Sequence, residues 1–354
     1  MSRLRVGIIG AGSWSAAVHL PELRRHDVDV AIVSSREQTT AERIGALFDV
    51  PRTTTRWEDV PDAYLDAIIV SSPPSAHREQ VVAALRSGAH VLSEKPMSVA
   101  PKDATAMLRT SEETGRGLLV GFGWPFSALF TRAKAVIDSG AIGAIEHVEM
   151  RLHANIRELL TGTAELEWQR KGVTSEPSTY RDPANAGGGA ITTTLSHALG
   201  MLSWLTGDAI ARVAATASPS GKPIDLHGAI AGSLTGGASV SLSYASTSSS
   251  SPGVGWQVAL IGSAGELLID FAEGTLRLQG AKSETIRLTT EQAANRPGAP
   301  TSALLDLART GVVPAACSGR LGALTVYTTD AIATSFRTGQ VISVDRRRLP
   351  AHGW

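Results

Sequence analysis

The chain has 354 residues, 43% of them hydrophobic, and its 33 Lys and Arg balance its 33 Asp and Glu. At roughly 150 residues per domain that length predicts two domains, and the charge balance excludes the basic surface that a nucleic acid or an anionic membrane would need. One cysteine, Cys317, excludes an internal disulfide and points to a reducing cytoplasm.

No apolar run approaches the ~18 residues of a membrane span, and the N-terminus reads straight into a strand, which leaves no room for a signal peptide. That strand is the apolar run Leu4 to Ile9. It enters Gly10-Ala11-Gly12-Ser13-Trp14-Ser15, and a helical pattern follows from Ala16 to Arg25. Strand, glycine turn and helix is the layout of a dinucleotide-binding unit. Gly10 allows the tight turn, Gly12 keeps a Cβ away from a pyrophosphate, and the helix N-terminus presents unpaired N–H donors. Gly10, Gly12, Ser13 and Trp14 are therefore candidate cofactor contacts, and Ser15 stands where the third glycine of the fingerprint would. A glycine turn alone is equally compatible with an ordinary strand–helix junction.

A second strand, Val28 to Val33, ends in Ser34-Ser35-Arg36, with a helix from Thr40 to Phe48. An acidic residue is expected here where the adenosine ribose carries a free 2′-hydroxyl. Two hydroxyls and a guanidinium suit a 2′-phosphate instead, so NADP(H) is favoured and NAD(H) is possible. An exposed loop arginine is the alternative. The third strand, Ala67 to Val70, stops at Ser71-Ser72-Pro73-Pro74-Ser75-Ala76-His77. The double proline is read as forbidding an immediate helix, so the next helix is predicted from Arg78 to Ser87, ending at Gly88. The carboxyl end of such a strand faces a ligand crevice, which makes Ser72, Pro73, Pro74 and His77 candidates as well. His90 to Ser93 is a further strand and delivers Glu94-Lys95-Pro96; helix Pro101 to Thr114 and strand Gly117 to Gly121 complete an alternating β/α pattern.

Beyond about Phe122 strands dominate. After a helix from Ser127 to Ser139 they are predicted at Ile145–His153, Ile210–Thr216, Leu226–Leu234, Ala238–Ser246, Trp256–Gly262, Glu266–Asp270 and Thr275–Gln279. Their alternation marks one solvated or partner-covered face. Helices are expected at Ala198–Leu205, Ser302–Arg309 and Leu321–Thr338, a last strand at Val341–Val344, and a polar, flexible tail from Asp345 to Trp354.

Taken together, Gly10-x-Gly12-x-x-Ser15, Pro73-Pro74-Ser75-Ala76-His77, Glu94-Lys95-Pro96 and Gly187-Gly188-Gly189 followed by His197 resemble the Gfo/Idh/MocA oxidoreductase family, in a subgroup reading Thr193-x-x-Ser196-His197. The resemblance implies an N-terminal Rossmann domain, a doubly wound parallel sheet over residues 1–121. It also implies a C-terminal α+β domain over 122–354 with a large, open, predominantly antiparallel sheet that forms a homodimer or homotetramer. It implies hydride transfer between NAD(P) and a secondary alcohol or ketone of a sugar-like or cyclitol substrate, with no metal. Within that family pattern Lys95 and His197 are the catalytic pair and Glu94 holds Lys95. An imidazole of ordinary pKa suits proton transfer at a carbinol. Lysines in turns and lone helical histidines are, by themselves, usually surface or structural residues.

Many relatives carry aspartates four residues before and three residues after this histidine; Thr193 and Gly200 stand there instead. His197 is accordingly expected to titrate near its unperturbed value of about 6.5. Trp124 and Phe126 offer an apolar wall, and Tyr180, Arg181 and Thr193 are candidate substrate contacts. Two alternatives stay open: a retained cofactor used transiently for elimination or epimerisation, and a non-catalytic NAD(P)-binding regulator.

Overall fold

Six short strands form the first sheet: β1 (Leu4–Ile9), β2 (Val28–Ser34), β3 (Thr53–Thr54), β4 (Ala67–Val70), β5 (His90–Ser93) and β6 (Leu118–Val120). The computed structural model describes residues 3–163, 180, 182–218, 224–251, 253–347 and 349. Their order is β3-β2-β1-β4-β5-β6, and every pairing is parallel. All four residues of β4 and of β5 are buried, as befits parallel strands covered by helices on both faces. The order reverses between β1 and β4, so the crevice at their carboxyl ends is where a doubly wound sheet binds its ligand. β3, two residues long, carries no periodicity and is not foreseen in the sequence.

Two helix expectations need correction. The helix expected over Ala16 to Arg25 is a wide π-type turn, Ser15–His19, followed by a single short helix, Leu20–Leu23. Pro21, which has no N–H to donate back, sits where the wide turn hands over to the regular one. The helix expected from Arg78 starts at once, at Pro74, and runs to Arg86. Pro73 is its extended N-cap and Pro74 its first residue, a position whose N–H would lack a helical partner in any case.

The second sheet has nine strands in the order β14-β13-β12-β11-β7-β10-β9-β8-β15, where β7 is Ile145–Ala154, β8 Ile210–Ala217, β9 His227–Leu234, β10 Ser239–Ser246, β11 Gly255–Gly262, β12 Gly265–Asp270, β13 Thr275–Gly280, β14 Glu284–Arg287 and β15 Ile342–Ser343. Only β7–β10 is parallel; the other pairings are antiparallel. β14, an exposed edge strand with two charged ends, lacks the apolar alternation that marks the others. On the inner face Val148, Met150, Leu152, Leu242, Tyr244, Val258 and Leu260 are buried. The outer face presents Glu149, Arg151, Ser241, Ser243 and Gln257, all exposed.

The long helix Gly319–Thr338 packs on β8 and on the helix Pro101–Thr114, where Tyr327 and Thr105 share a hydrogen bond of 2.7 Å. The helix Ala299–Thr310 packs on β4 and β5. The end of the chain therefore returns to the first sheet and ties the two sheets together. Of the expected tail, Asp345 to Arg347 and Leu349 are described; Arg347 bonds Asp345 at 2.8 and 2.9 Å, and Leu349 is buried. No helix among the described residues is long and apolar enough to cross a membrane.

Candidate active site

A cavity of about 700 Å³ opens at the carboxyl ends of β1, β4 and β5 and continues under the inner face of the second sheet. At its floor lies the glycine turn. Gly10 has φ +79°, and the N–H groups of Gly10 and Ala11 both donate to Ser34 O, at 3.0 and 2.7 Å. A Cβ on Gly10 would collide with the backbone of Ser72, so this turn closes only with glycine. Gly12 is the opposite case: a Cβ there would meet nothing nearer than Gly10 O at 3.9 Å. It leaves open the space that a pyrophosphate needs above the first helical turn, and the turn therefore fits a dinucleotide.

Gly10, Gly12, Ser13 and Trp14 line this end together with Ser72, Pro73 and Pro74. Ser35 and Arg36 line it too, joined by Glu37 and Thr40, which sequence reasoning missed. Two predicted contacts stand behind the wall instead. Ser34 is buried and serves the turn through its carbonyl. His77 is fully buried, with Nε2 2.7 Å from Ser72 O and Nδ1 3.2 Å from Met97 O and 3.3 Å from Ser93 Oγ. Its imidazole braces the Ser71–Pro74 turn and does not reach the cavity, so its place among the cofactor contacts is corrected.

Glu94 is the anchor of the centre. Its Oε1 accepts Trp14 Nε1–H at 2.9 Å and lies 3.3 Å from His19 Nε2, while its Oε2 accepts the Lys95 backbone N–H at 3.0 Å. His19 is held on its other side by Thr301 Oγ1 at 2.8 Å. Burial raises the carboxyl pKa, but His19, Lys95 and the Trp14 donor outweigh it and hold Glu94 at about 2. Glu94 thus links the glycine-turn helix to Lys95 as a fixed anion.

Lys95, followed by a cis bond to Pro96, points Nζ to the carbonyl of Thr193 at 3.3 Å. Burial lowers its pKa below the ordinary lysine value, and Glu94 opposes that shift. Thr193 belongs to a second π-type turn, Ile191–Leu195, that precedes the helix Ser196–Thr206. Its hydroxyl donates to Gly189 O at 2.8 Å. His197, the second residue of that helix, enters the cavity with Phe122 edge-on at 6.2 Å. Burial, and then the Lys95 charge, push its pKa down to about 3. The expectation of a value near 6.5 is overturned: removed from water next to an ammonium, the imidazole rests neutral near pH 7, with an unprotonated ring nitrogen.

What positions the His197 turn is Asp225. Its Oδ2 accepts Tyr244 O–H at 2.6 Å and Ile191 N–H at 3.0 Å, and its carbonyl accepts Ala190 N–H at 3.0 Å. Tyr180 lines the cavity; burial, then the Glu94 charge, raise its phenol to about 12, so it is a protonated donor. Arg181 lies outside the described residues. Trp124 lines the cavity, whereas Phe126 does not. Sequence reasoning also missed Thr194, Leu152, Ala154, Ile156, Leu159, Val254, Trp256 and Asn295. The alternation of β7 puts Leu152 and Ala154 on one face, but nothing in the sequence says which cavity that face borders.

Two family models match the chain. One, described as an oxidoreductase family with an NAD-binding Rossmann fold, matches residues 4–122, and the GFO/IDH/MocA C-terminal domain matches residues 130–268. D-glucoside 3-dehydrogenase of Escherichia coli (strain K12) is 33% identical over 154 residues, 41% of this chain and 42% of that protein. Inositol 2-dehydrogenase of Mycolicibacterium smegmatis is 33% identical over 147 residues, 40% of this chain and 42% of that protein. The match thus spans about two fifths of the length of these relatives. Among solved structures, levoglucosan dehydrogenase in complex with NADH and levoglucosan superposes with a TM-score of 0.80 at 17% identity, covering 98% of this chain and 100% of that one. An oxidoreductase domain protein from Kribbella flavida superposes with a TM-score of 0.81 at 21% identity, over 98% and 100%. Both likenesses are of fold.

Proposed function

The chain belongs to the Gfo/Idh/MocA family of NAD-binding oxidoreductases, and on that footing we propose that it is an NAD(P)-dependent dehydrogenase or reductase of a sugar-like or cyclitol secondary alcohol. The observation that carries this reading is the meeting of Lys95, from the end of β5, with His197, from the second half of the chain, in one cavity beside an open glycine turn. The relatives named as glucoside and inositol dehydrogenases support the substrate class.

When bound, the nicotinamide supplies or accepts the hydride; the protein handles the proton. Lys95, held by Glu94 and the Thr193 carbonyl, donates a hydrogen bond to the substrate oxygen, where charge builds as the carbinol hydrogen leaves. His197, neutral, accepts the hydroxyl proton in oxidation and returns it in reduction. Trp14 and Glu94 couple the glycine turn to Lys95, so cofactor seating and lysine placement depend on the same contacts. NADP(H) is the preferred cofactor in this reading, through Ser35 and Arg36; Glu37, at the same end, is the group that would accept a ribose hydroxyl of NAD(H). The setting is a cytoplasmic homodimer or homotetramer that covers the outer face of the nine-stranded sheet.

The test is reduced-nicotinamide absorbance with NADP+ and NAD+ in turn, across a panel of polyols, glycosides and keto-sugars. Turnover of at least one ring alcohol, with NADP+ preferred roughly ten- to a hundredfold as a charge-assisted phosphate contact would supply, is expected. No turnover across the panel refutes the activity; equal use of both cofactors refutes the role given to Arg36.

A further inference from the structure

The described lining of the cavity characterises the substrate further. Among the described lining residues the carboxylates are Glu37, at the adenosine end, and Glu94. Both Glu94 oxygens are committed, to Trp14, His19 and Lys95. Lys95 and His197 are assigned to the reacting oxygen, and the Thr193 hydroxyl is spent on Gly189 O at 2.8 Å. That leaves Thr194, Tyr180 and Asn295 as polar side chains for the rest of the substrate.

The remaining wall is apolar: Trp124, Leu152, Ala154, Ile156, Leu159 and Val254. Trp124 is fixed by edge contacts with three rings, with centroids at 5.2 Å for Phe271, 5.3 Å for Trp256 and 6.2 Å for Phe130, so the indole is held in place. Val254 also lines the cavity and is 45% exposed. The helix Arg157–Thr161, which carries Leu159, is held to the Ser248–Ser249 turn by Glu158, at 2.8 Å to each.

We infer that the substrate is a ring alcohol or ketone bearing an apolar substituent about the size of an aromatic ring, seated against the apolar lining that includes Trp124, Leu159 and Val254. This rests on the hydride-transfer reading above and narrows its substrate to an aryl-substituted class.

The experiment is a calorimetric titration of the protein saturated with NADPH or NADH, using phenyl β-glucopyranoside, methyl β-glucopyranoside and myo-inositol. Affinity for the phenyl glucoside is expected to exceed that for the methyl glucoside by roughly ten- to a hundredfold, from the additional apolar area buried. Equal affinities, tighter inositol, or no binding of the phenyl glucoside overturns the inference. Leu159→Asn and Val254→Asn, both at partly exposed positions, are expected to bring the ratio toward one; a ratio unchanged in both overturns it too. Trp124→Ala is a stronger cut but disturbs the packed ring cluster. Nicotinamide absorbance separates the two levels. Turnover of all three ligands without preference leaves the activity standing and removes the aryl class. A phenyl preference in binding with no hydride transfer to or from any panel member leaves the apolar subsite standing and removes the activity.

Discussion

At the scale of single residues, the two proton-handling groups are set by opposite environments. Lys95 keeps a fixed anion at its backbone, whereas His197 is buried and feels the Lys95 charge more strongly than the opposing charge of Glu94. Lys95→Met is expected to abolish turnover and to weaken cofactor binding, because it removes the ammonium that reaches the Thr193 carbonyl and helps hold Glu94, the partner of Trp14, as an anion. His197→Ala is expected to lower kcat by roughly 10²–10⁴ with cofactor affinity intact. The pH profile follows from the shift: with His197 held at about 3, kcat/KM should show no acidic limb near pH 6.5. A limb near 6.5 that His197→Ala removes would show that water reaches the imidazole. Stability has the same sign for His197 and Glu94. Both have folded pKa values below their unfolded ones, at about 3 against 6.5 and about 2 against 4.5, so unfolding takes up protons. Their contributions are complete above pH 6.5 and 4.5 respectively, and are lost as pH falls toward 3 and 2. Denaturant titrations between pH 7 and 3 should show that loss, and His197→Gln should flatten the part between 6.5 and 3.

At the scale of elements, the decisive piece is the π-type turn Ile191–Leu195. It is not held by its own capping residues; no side chain caps it. Asp225, distant in sequence, holds it through two hydrogen bonds, from the Ala190 and Ile191 N–H groups, and is itself held by Tyr244. Burial raises the Asp225 pKa, and its donors counter that. Tyr244→Phe removes one donor and leaves the carboxylate less satisfied. We expect a loss of about 1–3 kcal/mol in unfolding free energy. A fall in kcat at unchanged cofactor affinity should accompany it, since the turn places His197 and the Thr193 carbonyl while the glycine turn is untouched. Thermal unfolding and cofactor titration read both, and a change in cofactor affinity with kcat unaltered would contradict the assignment.

At the scale of the whole molecule, the nine-stranded sheet has one buried face and one polar face. Glu149, Arg151, Gln257 and Asp270 lie on the outer face, where Gln257 Nε2 donates to Asp270 at 2.7 Å. Charges of both signs on one flat surface allow a two-fold related copy to meet them with opposite sign. Sedimentation at micromolar concentration should give a dimer or tetramer that weakens as salt rises. A monomer at low salt would refute this arrangement.

Local chemistry alone was enough for most of the fold. Val, Ile and Ala runs bounded by glycine or proline are strands in either sheet, and the helix Pro101–Thr114 is found with its predicted ends. The Gly10 turn was legible because its function depends on backbone freedom at adjacent positions, whereas Glu94-Lys95-Pro96 stood out as a site only through the family resemblance. What the tertiary structure decided is everything that depends on what lies across a gap. His77 and Ser34 look like contacts in sequence and stand behind the wall in space. Pro74 starts a helix where the double proline reads as a break, because a helix's first residue needs no N–H. The pKa of His197 depends on Lys95, about a hundred residues away, and on the water that packing removes. The apolar wall comes from Trp124, β7 and the Val254 loop, which only the closing of the second sheet over the first brings to one cavity. Spacing along a chain records local geometry; burial, charge proximity and cavity shape belong to the folded neighbours.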